Sequence, residues 1–535
     1  MTIIATASAK HPIPAGSKFT YGTAGFRMRA ELLDSVTFRV GLLAALRSRS
    51  LGGRTIGVMI TASHNPVEDN GVKLADPLGE MLKQSWEAHA TTLANAPNDA
   101  AVATVYAEIA AAEGIDLSIA ANVVFARDTR PSGPALVQAL VDGLTAAGAN
   151  LTDFGVKTTP QLHYVTRCIN DASYGEPTEE GYYKKLSAAY QDLVAGFPAL
   201  NVTVDCANGV GAPKLKDIAK YLGSSVHLTA VNDDIEHGIL NHRCGADFVK
   251  VGITRPDGFT LTPNGICASF DGDADRIVFY YADAHDAFHL LDGDRISALV
   301  GGFIIETVRA AGLALDVGVV QTAYANGNST HYLRDTLGVP VAFTQTGVKH
   351  LHHKAEEYDV GVYFEANGHG TTIFSRKAHA AVAAAVAADP TNKAVKLLHS
   401  LITVTNETVG DAISDLLVVL AVLTHKKWTL ADWDALYDDL PSRLVKVVVG
   451  NRHAFKAINA DTVLESPAGL QSLIDAEVAK IDRGRSFVRP SGTEDVVRVY
   501  AEAATREACD VLAYTVAGIV FDKAGGVGER PKEFL

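Results

Sequence analysis

Ser63 stands in the run Thr61-Ala62-Ser63-His64-Asn65-Pro66, directly after the apolar segment Ile56-Gly57-Val58-Met59-Ile60. A hydroxyl beside an imidazole at the mouth of a buried strand can do nucleophilic chemistry, because the serine can be deprotonated or can carry a phosphoryl group. An N-cap or turn serine ahead of Pro66 fits the same residues. Partners elsewhere in the chain decide between the two.

The first partner is Phe270-Asp271-Gly272-Asp273-Ala274-Asp275-Arg276, set between the apolar stretches around Cys267 and Ile277-Val278-Phe279-Tyr280. Carboxylates at every second position of an extended chain point the same way. Three such charges repel unless a cation neutralises them, and all-oxygen ligation favours a hard ion such as Mg2+. An EF-hand fails on Arg276 at the sixth position and Ala282 at the twelfth. A solvated acidic turn is the competing reading, disfavoured by the apolar strands on both sides. The second partner, Arg489-Pro490-Ser491-Gly492-Thr493-Glu494-Asp495, precedes Val496-Val497-Arg498-Val499-Tyr500. Arg489 and Arg498 offer forked donors, Ser491 and Thr493 add hydroxyls, and Gly492 lets backbone N–H groups approach an anion. A plain Ser-Gly turn before an edge strand is the alternative.

Taken in order, these three runs and the loop Glu365-Ala366-Asn367-Gly368-His369-Gly370 resemble the four signature loops of the α-D-phosphohexomutases. The match runs from Gly22-Thr23-Ala24-Gly25-Phe26-Arg27 to Tyr500. Within that superfamily, Glu365 to Gly370, the stretch Asn70 to Glu80 and the early position of the serine are similar to the eukaryotic members that act on N-acetylglucosamine phosphates. The resemblance implies an α/β protein of three similar mixed-sheet domains and a smaller C-terminal α+β domain around a central cleft. The expected divisions are 1–195 with the phosphoserine loop, 196–291 with the metal loop, 292–441 with the sugar-binding loop and 442–535 with the distal phosphate loop.

It also implies an isomerase that interconverts N-acetylglucosamine 6-phosphate and 1-phosphate, on the route to UDP-N-acetylglucosamine. By the same resemblance, phosphoserine at Ser63 and a 1,6-bisphosphate are expected to carry the reaction, with one Mg2+ per chain held by Asp271, Asp273, Asp275 and the phosphoserine. Ser63, His64, Lys73, Arg27 and Lys349 are the expected catalytic groups. Arg276, Gly347, Glu365, Asn367, His369, Arg489, Ser491, Gly492, Thr493 and Arg498 are the expected substrate contacts. Three other readings stay open: phosphoglucomutase or phosphomannomutase activity, a non-catalytic phosphosugar-binding protein, and a metal-dependent hydrolase with Asp271 as nucleophile. The last leaves the serine and the arginine loop without a use.

The elements that must position these groups follow from periodicity. Strand-type runs at Val123 to Asp128, Val202 to Asp205 and Val317 to Val320 each lead through a polar loop into a helical pattern, at Ser132 to Ala147, Ala212 to Leu222 and Asn328 to Leu337. Repeated strand–loop–helix units favour doubly wound sheets of one topology. Ala-rich stretches at Ala100 to Ala121, Ala378 to Ala388 and around Leu417 to Val422 read as helices packed on sheets. Asn208-Gly209-Val210-Gly211 fails as a dinucleotide fingerprint because Lys214 takes the third glycine's place. His350, His352 and His353 beside Lys349 lack the spacing of a zinc site.

At 535 residues and 47% hydrophobic the chain has material for three or four domains of about 100 to 200 residues each. Met1 to Tyr21 holds no apolar segment fit for a signal peptide, and Glu306 and Arg309 interrupt Leu299 to Leu315, so a cytoplasmic setting without membrane contact is expected. The five cysteines show no Cys-x-x-Cys spacing and read as buried free thiols. A formal net charge of -14 argues against nucleic acid and repels phosphorylated sugars, so a hexosamine phosphate needs a locally positive site. Monomer and homodimer are both compatible with the sequence.

Overall fold

The computed structural model describes residues 2–23, 25–491 and 495–535. The first sheet contains β1 (Phe26–Arg29), β2 (Ile56–Ile60), β3 (Asp69–Ala75), β4 (Asn122–Arg127) and β5 (Asn150–Val156). Its order is β1-β3-β2-β4-β5, with β3 antiparallel to both β1 and β2 and β2, β4 and β5 parallel. Every residue of β2 is buried, as expected of a strand covered on both faces.

The second sheet contains β6 (Leu200–Asp205), β7 (Val226–Val231), β8 (Ile266–Phe270), β9 (Ile277–Ala282) and β10 (Phe288–Leu291), in the order β10-β9-β8-β6-β7. The third contains β11 (Val317–Thr322), β12 (Val341–Thr344), β13 (Val360–Phe364) and β14 (Gly370–Phe374), in the order β12-β11-β13-β14. Read from β5, β7 and β12 respectively, each sheet runs through two strands to a third and then a fourth. The loop from third to fourth carries Ser63 in the first sheet, the aspartates in the second and Glu365 in the third. One topology therefore places three of the signature runs at equivalent strand ends, where open α/β sheets bind ligands. In the first sheet β2 and β3 precede β4 and β5 in the chain, whereas in the other two sheets the equivalent strands follow the corresponding pair.

The C-terminal region differs. β15 (Ser442–Val448), β18 (Arg485–Pro490) and β19 (Val496–Glu502) form an antiparallel sheet in the order β15-β19-β18, and β16 (Lys456–Ile458) pairs with β17 (Val463–Ser466). One face of β15, β18 and β19 supplies Val447, Val488, Val497 and Val499 to a core shared with Leu512, Val516 and Val520 of helix Arg506–Lys523. This is the α+β arrangement expected.

The chain divides into two compact units: Met1–Asp292, Asn367–Thr372 and Ala383–Leu430 form one, and Gly293–Ala366, Ile373–Val382 and Ala431–Leu535 the other. Helices follow the expected strands at Gly133–Ala146 and Gly211–Leu222. The third such helix is shorter than its pattern suggests: Gly327–His331 widens at once into Tyr332–Thr336. The Ala-rich run from Ala100 forms helix Asp99–Ala112 only, and Ala121 already leads into β4. All five cysteines are free and buried. No helix among the described residues is long and apolar enough to cross a membrane.

Candidate active site

Ser63 leaves β2 in the left-handed conformation, φ 52, and its carbonyl accepts from Arg130 Nη2 and Asn241 Nδ2, both at 2.9 Å. Arg130 is fully buried and spends all five guanidinium N–H groups here, four on carbonyls of this loop and one on Asp128. It donates to the carbonyls of Ser63, Asn65, Pro66 and Asp69 and to the Asp128 carboxylate. Asp128 also accepts from Thr61 Oγ1 at 2.8 Å, and Thr61 Oγ1 accepts from the Ser63 amide at 3.0 Å. Sequence reasoning missed Arg130 and Asn241. The available signal was Asp128, one residue past β4 and so beside the end of β2, with an arginine two residues on.

The acidic triplet does not lie in extended chain, as its alternation suggests. It forms a turn between β8 and β9, with Ala274 left-handed at φ 58. Asp271 Oδ1 accepts from the amides of Asp275 and Arg276 at 3.1 and 3.3 Å, which wraps the turn around the first carboxylate. All three side chains are buried and each brings one oxygen within 4.8 Å of the others. Asp273 Oδ2 accepts from Thr159 Oγ1 at 2.6 Å, at the start of helix Thr159–Asn170, where the helix dipole favours negative charge. The remaining oxygens, Asp273 Oδ1 and Asp275 Oδ1, are buried and make no hydrogen bond. Buried carboxylate oxygens left over in this way, in an all-oxygen donor set, fit Mg2+.

Ser63 Oγ donates to Asp271 Oδ2 at 2.6 Å and lies 3.3 Å from His64 Nδ1. Gly272 permits this closeness, since a Cβ there would stand 2.6 Å from the Ser63 carbonyl oxygen. Lys73 Nζ reaches Asp273 Oδ2 and Asp275 Oδ2 at 3.4 and 3.3 Å. Arg276 Nε lies 3.9 Å from Asp271 and 3.8 Å from Asp275, and Arg27 Nη1 donates to Asn65 Oδ1 at 3.2 Å. Burial, then the neighbouring Asp275 and Asp273 charges, push Asp271 well above the usual carboxyl range. Asp275, although buried, is held well below it by His369, Lys73 and Arg276.

Burial and the guanidiniums of Arg276, Arg27 and Arg130 lower His64 to about 2. Its ring is neutral at neutral pH and holds no imidazolium proton to give. A cavity of about 350 Å3 opens beside His64, lined also by Asn241, Asp247, Phe248 and Val251.

Asn367 and His369 belong to the same unit as Ser63. His369 Nδ1 bonds the Asp275 carbonyl at 2.6 Å, and its amide donates to Asn367 Oδ1 at 2.9 Å. A carbonyl only accepts, so Nδ1 carries a hydrogen. Gly368, at φ 85, is required: a Cβ would lie 1.8 Å from the Ile277 carbonyl oxygen.

The other unit holds Glu365, directly after β13, and the arginine loop. Arg489, Arg498 and Lys446 stand directly opposite one another across β18, β19 and β15. Like charges so opposed are destabilising in a sheet unless an anion joins them; Lys446 went unnoticed in the sequence because the register is a tertiary property. The Arg489 guanidinium lies 5.8 Å from the Tyr324 ring centroid. Ser491 is buried and its amide donates to the Val496 carbonyl; Gly492 and Thr493 lie outside the described residues. Gly347, at φ 127, precedes helix Val348–Ala355, whose first turn carries the buried Lys349. Arg485 pairs through Nε and Nη2 with Glu502 and donates to the carbonyls of Ala323 and Ala325, fastening β18 to the loop after β11. His352 bonds the Tyr363 hydroxyl and His353 pairs with Glu356. Among the described residues these histidines form no metal-binding group.

Known families match consecutive parts of the chain. Residues 44–101 and 94–175 match the phosphoglucomutase/phosphomannomutase alpha/beta/alpha domain I, and 444–518 match the C-terminal domain of that family. Residues 175–278 and 292–428 match domains II and III of phosphoacetylglucosamine mutase. Phosphoacetylglucosamine mutases of Sus scrofa and Homo sapiens are 52% and 51% identical over 533 residues, covering 98% of each chain. The Aspergillus fumigatus N-acetylphosphoglucosamine mutase, solved with GlcNAc-6P and magnesium, superposes with a TM-score of 0.94 at 52% identity, covering 97% of this chain and 98% of that one. The chain therefore belongs to the phosphoacetylglucosamine mutases, within the α-D-phosphohexomutase superfamily.

Proposed function

We propose that this chain interconverts N-acetylglucosamine 6-phosphate and N-acetylglucosamine 1-phosphate as an intramolecular phosphotransferase, with Ser63 as the residue that lends and reclaims the phosphoryl group. The observation that carries this is the 2.6 Å hydrogen bond from Ser63 Oγ to Asp271, inside the buried acidic turn. Arg130 and Asn241 fix the Ser63 backbone, so the hydroxyl meets the phosphoryl group in one orientation, and orientation supplies much of the barrier reduction in such transfers. Asp271, Asp273 and Asp275 would hold Mg2+. When bound, it withdraws charge from the phosphoryl group in transit.

Lys73, directed at the same carboxylates, is the group placed to neutralise the serine oxygen as the phosphoryl departs. The proton of the attacking sugar hydroxyl passes to a basic group beside the sugar, and His369 ties the sugar loop to the acidic turn through the Asp275 carbonyl. Glu365 and Asn367 grip ring hydroxyls. Arg489, Arg498 and the Ser491 loop bind the phosphate that is not reacting, which lets the bisphosphate turn over and present its other end. The expected cytoplasmic setting belongs to the same reading. Assay of N-acetylglucosamine 6-phosphate, glucose 6-phosphate and mannose 6-phosphate side by side tests it: the N-acetylated sugar should give the highest kcat/KM, and a preference for either of the others would assign a different substrate.

A further inference from the structure

The tip of the β16–β17 hairpin holds three consecutive non-glycine residues in the left-handed region: Asn459 at φ 50, Ala460 at φ 58 and Asp461 at φ 67. Each costs backbone energy, because Cβ crowds the carbonyl oxygen, and such a run persists only where its surroundings hold it. What it achieves is the placement of one carboxylate. Asp461 Oδ2 accepts from the Thr346 amide at 2.9 Å and lies 4.0 Å from Arg489 Nε, with only 13% of its side chain exposed. Thr346 leads into Gly347 and the helix bearing Lys349, so this single oxygen faces two stretches that sequence reasoning assigned to the substrate.

We propose that Asp461 is a positioning residue that sets the Arg489 guanidinium against the Thr346–Gly347 turn. The carboxylate addresses Nε, the edge of the guanidinium away from its forked Nη pair, and the Tyr324 ring stands within 6 Å of the same group. Orienting the fork beforehand spares a phosphate the cost of ordering a long side chain. An exposed ion pair would contribute little. Here the pair is mostly buried, and the chain accepts three unfavourable backbone conformations to make it. The opposite expectation is equally physical: a carboxylate beside the arginine repels an incoming phosphate, and its removal would then tighten binding. The two expectations differ in sign.

This proposal rests on the reading that the Arg489 loop takes the non-reacting phosphate. The test is steady-state kinetics with N-acetylglucosamine 6-phosphate on Asp461→Ala, Asp461→Asn and Arg489→Ala, together with their melting temperatures. Asp461→Ala should raise KM roughly tenfold with kcat within about twofold. Asp461→Asn, which keeps an acceptor for the Thr346 amide, should recover part of that loss. A purely structural role would lower melting temperature and active fraction without moving KM. An unchanged or lower KM in both Asp461 variants, while Arg489→Ala is impaired, overturns the proposal and leaves the reading of the site standing. Wild-type KM in Arg489→Ala overturns the reading itself, and this proposal with it.

Discussion

The Ser63 hydroxyl and the Asp271 carboxylate, 208 residues apart in the chain, meet at 2.6 Å. They come from equivalent strand ends of two different sheets, so the contact exists only when both sheets are folded and joined. Replacing Ser63 by alanine removes the transferring oxygen and one donor to Asp271 but nothing that holds a sugar. We expect Ser63→Ala to lower kcat by at least about a thousandfold, while sugar-phosphate affinity measured by calorimetry stays within roughly threefold. Retention of turnover above that level would assign the chemistry to another group.

Asp271 links metal binding to pH. Burial and its neighbours Asp275 and Asp273 raise its proton affinity in the metal-free protein, and a ligating carboxylate must be deprotonated. Mg2+ binding therefore releases a proton at pH values below the raised pKa of Asp271. Its affinity is full above the raised pKa of Asp271 and falls as pH drops through it. Calorimetry of Mg2+ binding in two buffers of different ionisation enthalpy reads the proton directly. Equal heats in both buffers across the whole acid-to-neutral pH range would refute the linkage. Chelation should abolish activity and lower the melting temperature, since a ligand bound only by the folded state stabilises it, and Asp273→Asn should remove most of that Mg2+-dependent shift.

Arg130 touches no reacting atom yet holds four carbonyls of the serine loop. Arg130→Ala leaves Asp128 buried without its cation, a loss of about 3 to 5 kcal/mol for a pair of this kind. Arg130→Lys keeps the charge but not the five-pronged geometry. The lysine variant should stay folded by circular dichroism and lose kcat by roughly a hundredfold. Full activity in a folded Arg130→Lys protein would show that loop geometry is not what the arginine supplies.

Local chemistry made much of this legible. Ser63, the aspartates and Arg489 stand out because phosphoryl and metal chemistry require particular atoms, and β2, β4, β6 and β11 announce themselves by short apolar runs ending in polar loops. Geometry made by the tertiary fold stayed hidden. The aspartates alternate as in a strand, yet Ala274 turns the chain left-handed and the three converge through a loop. Arg130, Thr159 and Asn241 look like ordinary polar residues until folding brings them to the serine and the metal turn. Lys446 joins Arg489 and Arg498 only through strand register. The depressed basicity of His64 comes first from burial and then from three guanidiniums distributed along the chain.

Exchange of a phosphoryl group between residue 63 and the sugar is read out most directly by peptide-level mass spectrometry of the protein before and after incubation with N-acetylglucosamine 1,6-bisphosphate and Mg2+. One phosphate is expected on the peptide containing Ser63, transferred away when excess N-acetylglucosamine 6-phosphate is added. An active preparation in which that peptide never carries phosphate, or carries one that substrate does not remove, would contradict it.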